Sequence, residues 1–184
     1  MQQVFFTADL HVFDDDISKY RGFYDAKQYR DVLIHHWNRA VGDDDLVYIL
    51  GDISKSLQSS AVEFVQTQLN GYKVLVPGNH DSFNTCQLFQ AGPKCSVKMP
   101  GNIALNIGGK LLLLTHYPVH PDELKFYDGN IHGHIHAPIP EIGYEPNHWP
   151  NVTRDTDIPG GYCYFNANCE FHDYTPVHQS KIRY

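Results

Sequence analysis

Three short apolar runs in this chain each break off at residues suited to holding a metal ion. Val4-Phe5-Phe6-Thr7-Ala8 runs into Asp9-Leu10-His11, Asp45-Leu46-Val47-Tyr48-Ile49-Leu50 into Gly51-Asp52, and Tyr72-Lys73-Val74-Leu75-Val76-Pro77 into Gly78-Asn79-His80-Asp81. Runs this short, apolar and rich in β-branched residues read as buried strands. Amphipathic segments lie between them. Asp25 can cap a helix carrying Tyr29, Leu33, Trp37 and Ala40 on one face, and Leu57, Ala61, Phe64, Val65 and Leu69 mark a second. Strand, helix, strand, helix, strand requires parallel pairing, which brings the carboxyl ends of the strands to one edge, where open α/β sheets bind ligands. In extended backbone Asp9 and His11 would point the same way and reach one ion.

Residues 12 to 24 read as a polar and aromatic loop, with Asp14-Asp15-Asp16 a solvated acidic run and Arg21 a candidate phosphate contact. Asp81-Ser82 can cap a short helix reaching Phe89. Beyond it, Cys95 to Met99, Asn102 to Ile107 and Lys110 to Thr115 read as a three-stranded meander that starts a second sheet. The last of these ends in His116. A helical turn over 121 to 127 and a brief strand Asn130-Ile131-His132 then lead to Gly133-His134-Ile135-His136. The proline- and glycine-rich stretch from 137 to 161 reads as an ordered loop over the site, and 161 to 168 and 174 to 177 as closing strands.

A length of 184 residues, 42% of them hydrophobic, suits one domain spanning 1–184 with a substantial core. A formal charge of −7 argues against a broad grip on nucleic acid. The first residues lack the basic start and apolar core of a signal peptide, and no apolar run approaches the ~20 residues of a membrane span, so no membrane association and a cytoplasmic protein are expected. Cys86, Cys95, Cys163 and Cys169 form no CxxC pair and are expected to be reduced structural thiols.

Nine polar residues therefore collect at element ends: Asp9, His11, Asp52, Asn79, His80, Asp81, His116, His134 and His136. Oxygen and imidazole donors without thiolate suit Mn²⁺, Fe or Zn²⁺, and one carboxylate can bridge two ions. Two cations roughly 3.5 to 4 Å apart acidify a bridging water and neutralise phosphate oxygens, so that hydroxide attacks phosphorus in line.

Asp9-x-His11, Gly51-Asp52, Gly78-Asn79-His80-Asp81, His116 and Gly133-His134-x-His136, in this order, resemble the motifs of the calcineurin-like metallophosphoesterase superfamily, and in particular its small bacterial and phage members. The resemblance runs from residue 4 to about residue 178 and implies a four-layer α/β sandwich, two mixed β-sheets flanked by helices. It implies two divalent ions, Mn²⁺ first with Fe, Zn²⁺ or Ni²⁺ as alternatives. Asp9, His11 and His136 would hold one, Asn79, His116 and His134 the other, and Asp52 would bridge them. His80 would face the scissile phosphate and help the leaving oxygen depart, with Asp81 holding its ring. Val12-Phe13-Asp14 stands where related small members often carry a histidine, and Ile53-Ser54-Lys55 replaces the Asp-Arg-Gly run of the protein Ser/Thr phosphatases.

The expected activity is hydrolysis of a small phosphodiester or phosphomonoester such as a nucleotide. The alternatives are a nuclease acting on short nucleic-acid ends and a non-catalytic scaffold of the same fold. Arg21 and His132 are candidate substrate contacts, followed by Tyr144 and His148.

Overall fold

The computed structural model describes residues 2–55, 59–136 and 163–182. Strands β1 (Val4–Thr7), β2 (Leu46–Ile49), β3 (Tyr72–Leu75) and β4 (Cys95–Val97) run parallel side by side. Strands β5 (Asn102–Ile107), β6 (Lys110–Thr115), β7 (Gly129–His132) and β8 (Cys163–Asn166) make a second sheet, antiparallel at β5–β6 and parallel thereafter. A final strand, β9 (Val177–His178), returns antiparallel to the free side of β1. Both sheets are thus mixed, in the orders β4-β3-β2-β1-β9 and β5-β6-β7-β8.

The expected meander needs one correction. Its first strand, β4, joins the first sheet, with Lys73 opposite Cys95 and Leu75 opposite Val97. The helix capped by Ser82 carries the chain back alongside β3, making a third crossover unit. Only β5 and β6 form the hairpin expected around Gly108-Gly109.

Helices α1 (Asp15–Tyr20), α2 (Ala26–Ala40), α3 (Ser59–Gln68) and α4 (Phe83–Gln90) belong to the crossovers of the first sheet. The first of them lies inside the expected loop. Asp14 is buried, and its Oδ1 accepts from the amides of Asp16 and Ile17 at 3.0 and 3.1 Å, so it is a helix cap and not part of a solvated run. Asp25 caps α2 as expected, accepting from the Gln28 amide at 2.7 Å, and Tyr29, Leu33 and Trp37 face inward.

Because the first-sheet strands are covered on both faces, their sequences are apolar on both faces. Phe5, Val47, Ile49 and Leu75 pack against Leu33 and Trp37 of α2, Val65 of α3 and Phe89 of α4. Phe6, Tyr48 and Val74 point the other way, into a core shared with Leu112, Leu114, Ile131 and Phe165 of the second sheet. Beyond that sheet, Leu113 and Tyr164 are covered by Leu124 of a 3-10 turn, Pro121–Leu124. The layers are helices, sheet, sheet and a thinner outer cover. Among the described residues no helix is long and apolar enough to cross a membrane, and Cys86, Cys95 and Cys169 are free thiols. Residues 137–161, expected as a loop and including Tyr144 and His148, lie outside the described residues.

Candidate metal centre

The two sheets meet at the rim formed by the ends of β1, β2 and β3 on one side and of β6 and β7 on the other. Past β1 the backbone keeps its pairing: the Asp9 amide donates to the Gly51 carbonyl and the His11 amide to the Asp52 carbonyl, both at 3.0 Å. Across the seam the His134 amide donates to Asp9 Oδ2 at 2.9 Å, while within the second sheet the Gly133 amide donates to the His116 carbonyl at 2.9 Å. The expected extended geometry does not hold here. Asp9, His11, Asp52 and His134 have φ values of 57°, 45°, 59° and 66°. Each left-handed residue costs on the order of 1 kcal/mol or more and persists only where surrounding contacts fix it.

Three glycines allow the segments to approach this closely. A Cβ at Gly133 would lie 2.5 Å from Ala8 Cβ and 2.6 Å from Asp9 Oδ2. One at Gly78 would strike the Asp52 carboxylate, and one at Gly51, where φ is +89°, would strike His116. Gly78 therefore supplies space, and its carbonyl accepts from the Asp81 amide at 3.2 Å to close the turn after β3.

Two groups of donor atoms converge, Asp9 with His11 and His136, and Asp9 with Asp52 and His116, each set lying within 4.8 Å of one another. The first is the trio expected for one ion. In the second, Asp52 Oδ2 lies 3.5 Å from His116 Nε2 and 3.6 Å from His11 Nε2, so Asp52 stands between the two groups. Asn79 adds its Oδ1 at 2.8 Å from His116 Nε2, and the His134 ring lies 5.0 Å from the His116 ring.

These atoms suit a cation. His116 Nδ1 is 2.8 Å from the Leu50 carbonyl, which can only accept, so Nδ1 carries the proton and Nε2 presents a lone pair to Asn79 Oδ1 and Asp52 Oδ2. Asp9 Oδ1 and both ring nitrogens of His11 are buried without a hydrogen-bond partner. Burying such groups unpaired is costly, and metal coordination is one of the few arrangements that offsets the cost. The electrostatics agree. Burial, with the Asp52 charge adding to it, pushes the Asp9 carboxyl up to about 8 against the opposing pull of His136 and the His134 amide. Burial also holds His11 well below its ordinary value, lowers His116, and brings His134 down to about 4. His11, His116 and His134 are thus held neutral, as ligands must be. The Asp and His groups can bind a metal ion.

Three expected roles are corrected. The Arg21 side chain is only 1% exposed. Its nitrogens donate to the Asp9 carbonyl at 2.6 Å, the Leu10 carbonyl at 2.9 Å and Glu170 Oε1 at 2.8 Å, so the guanidinium is engaged inside the protein. His132 is fully buried on β7, with its Nδ1 2.8 Å from the Gly133 carbonyl and burial bringing its pKa down to about 4. Asp81 does not meet the His80 ring. Its oxygens accept from the amides of Asp52 at 2.7 Å, Gly78 at 2.9 Å and Ile53 at 3.0 Å, locking the β2 and β3 turns together. His80 is half-buried at the rim, its amide donating to Asp52 Oδ1 at 3.0 Å and its ring edge-on to His11 at 5.6 Å.

Glu170 was not legible as part of the site. It follows β8 in a 3-10 turn, Cys169–His172, and its Oε1 lies 2.7 Å from His136 Nδ1. No motif surrounds it, and the only signal was an acidic residue among aromatic neighbours.

No family model matches the chain. Over 141 residues it is 34% identical to the uncharacterized protein MJ1445 of Methanocaldococcus jannaschii, an alignment covering 74% of this chain and 71% of that protein. The chain belongs to the family of MJ1445. The chain is also 28% identical over 168 residues to the Gene 66 protein of Mycobacterium phage D29, an alignment covering 76% of this chain and 81% of that protein. Among solved structures, the protein of unknown function AQ665 from Aquifex aeolicus superposes with a TM-score of 0.69 at 21% identity, over 99% of this chain and 98% of that one. A protein described as a novel archaeal phosphodiesterase superposes with a TM-score of 0.50 at 17% identity, over 91% and 85%. Both likenesses are of fold.

Proposed function

We propose that this MJ1445-family chain is a calcineurin-like metallophosphoesterase that hydrolyses a small phosphodiester or phosphomonoester such as a nucleotide. The observation that carries the reading is the facing of lone pairs at the seam, where neutral His116 Nε2 meets Asn79 Oδ1 and Asp52 Oδ2 beside the unpaired Asp9 and His11 atoms. Asp9, His11 and His136 would hold one divalent ion and Asn79, His116 and His134 the other, with Asp52 between them. Mn²⁺ is the first choice, and Fe, Zn²⁺ or Ni²⁺ also suit donors of this kind. When bound, such a pair supplies Lewis acidity and a nucleophile at neutral pH.

The chain's own residues do the rest. Asp81 holds the Gly51-Asp52 and Gly78-Asn79 turns in register through three amide hydrogen bonds, so that Asp52 and Asn79 are positioned before substrate arrives. His80, anchored by its amide to Asp52, stands at the open rim where it can give a proton to the departing oxygen. Water adds across the P–O bond: its oxygen joins phosphorus, and the released alcohol leaves with a proton. The net charge of −7 disfavours long polynucleotides as substrates.

The test pairs metal analysis with hydrolysis of bis-para-nitrophenyl phosphate, with and without Mn²⁺ and after chelation. Bound metal with Mn²⁺-stimulated hydrolysis supports the reading. Protein that holds no metal and shows no stimulation would instead be a scaffold.

A further inference from the structure

The metal-ligand reading leaves one buried ion pair unused. Glu170 and Arg21 are 149 residues apart in sequence, with side chains 4% and 1% exposed, and Arg21 Nε donates to Glu170 Oε1 at 2.8 Å. The same oxygen lies 2.7 Å from His136 Nδ1. A carboxylate oxygen only accepts, so Nδ1 must carry hydrogen and the lone pair of the neutral ring is left on Nε2. That nitrogen is the one turned toward Asp9 Oδ1, at 3.8 Å. The other end of the guanidinium grips the carbonyls of Asp9 and Leu10, the segment whose left-handed residues at 9 and 11 need outside support. Tyr29 adds its hydroxyl to the Leu10 carbonyl at 2.6 Å. Glu170 is itself fixed, its amide donating to Asn168 Oδ1 at 3.1 Å, while the Cys169 amide donates to the Ala8 carbonyl at 3.1 Å.

We propose that Arg21 and Glu170 act as a positioning pair for the Asp9–His11–His136 metal position, with Glu170 setting the His136 tautomer and Arg21 holding the strained Asp9–His11 backbone. The pair ties a segment before α2 and a segment after β8 to one ion, so neither sheet alone can assemble that position. This inference rests on the reading of Asp9, His11 and His136 as ligands. Carboxylates that orient ligating histidines typically change metal affinity by about 10- to 100-fold when removed.

The experiment has a readout on the wild-type protein that needs no activity. Long-range nitrogen–proton NMR of the metal-free wild type near pH 9, with the His136 signals assigned by their loss in His136→Gln, should find Nδ1 protonated. Manganese titration followed by electron paramagnetic resonance supplies the second readout. Removing Glu170 alone would strand the Arg21 charge, so the variant is the double change R21M/E170M, which removes both charges and keeps bulk. It should lose the fixed tautomer and bind one of two Mn²⁺ at least about tenfold more weakly, while E170Q, whose amide oxygen still accepts, keeps the tautomer and most of the affinity. A wild-type His136 protonated at Nε2, or unchanged Mn²⁺ affinity in a folded double variant, would overturn the proposal. Wild type that takes up no Mn²⁺ overturns it together with the metal reading, whereas wild type that takes up Mn²⁺ without hydrolysing esters overturns the reaction alone.

Discussion

His116 Nε2 stands 2.8 Å from Asn79 Oδ1, joining the end of β6 to the turn after β3 through two atoms that both carry lone pairs. Such a pair repels unless something positive lies against it. Asn79→Ala should therefore reduce bound Mn²⁺ from two equivalents to one and weaken the remaining uptake little. Equilibrium dialysis with elemental analysis decides this, and two tightly held equivalents in the variant would remove Asn79 from the ligand set.

His80 contributes its backbone to the site and its ring to the open rim. His80→Asn should keep fold and metal content, because Asp52 Oδ1 still receives the residue-80 amide. Turnover should fall by about a hundredfold or more with an alkyl leaving group and much less with para-nitrophenolate, which departs without a proton. Equal losses on both substrates would argue that His80 does not serve as the acid.

Asp81 is a fastener. Its carboxylate accepts three amides, two of them buried, and Asp81→Ala leaves all three without their partner. A loss of roughly 3 kcal/mol in chemical denaturation is expected, together with weaker metal uptake. An Asp81→Ala protein as stable as wild type would show that water replaces the carboxylate at no cost.

Removing metal should make stability fall with pH. In the folded metal-free protein Asp9 keeps its proton up to about pH 8, while the unfolded chain loses it near pH 4. The native state then binds more protons between these limits, and stability decreases as pH rises through them. The lowered histidines His11, His116 and His134 act in the opposite sense, but only up to their ordinary value near 6.5. His136, raised by the Glu170 hydrogen bond and charge against the effect of burial, acts with Asp9. Chelated protein should thus lose roughly 2 kcal/mol between about pH 6.5 and 8. Thermal melts across that window in chelator and in Mn²⁺ test it. The slope should vanish with metal, and a flat profile in chelator would contradict the burial of an unpaired Asp9.

The strands and the ligand motifs were legible because each depends on local chemistry. Val47 and Ile49 must be buried wherever they fall, and Gly51-Asp52 or Gly78-Asn79-His80-Asp81 carry their donors within a few residues. What escaped was set by distant neighbours. Arg21 reads as a surface arginine until Glu170, far away in sequence, is placed beside it, and Asp14 reads as one of three equal aspartates until α1 begins there. The sheet that β4 joins depends on where α4 delivers the chain, which the sequence of β4 does not encode. The His80–Asp81 partnership failed for a similar reason: three amides, two of them from the β2 turn, claim the carboxylate first.

The left-handed backbone at Asp9, His11, Asp52 and His134 has a further consequence. These side chains reach the seam from conformations that only a few residue types tolerate, so exchanging a donor for most other residues changes the path of the main chain as well as its chemistry. Exchanges among aspartate, asparagine and histidine keep that path, because these side chains tolerate left-handed backbone better than most, whereas a β-branched residue at any of the four positions would displace the seam as well as remove a donor.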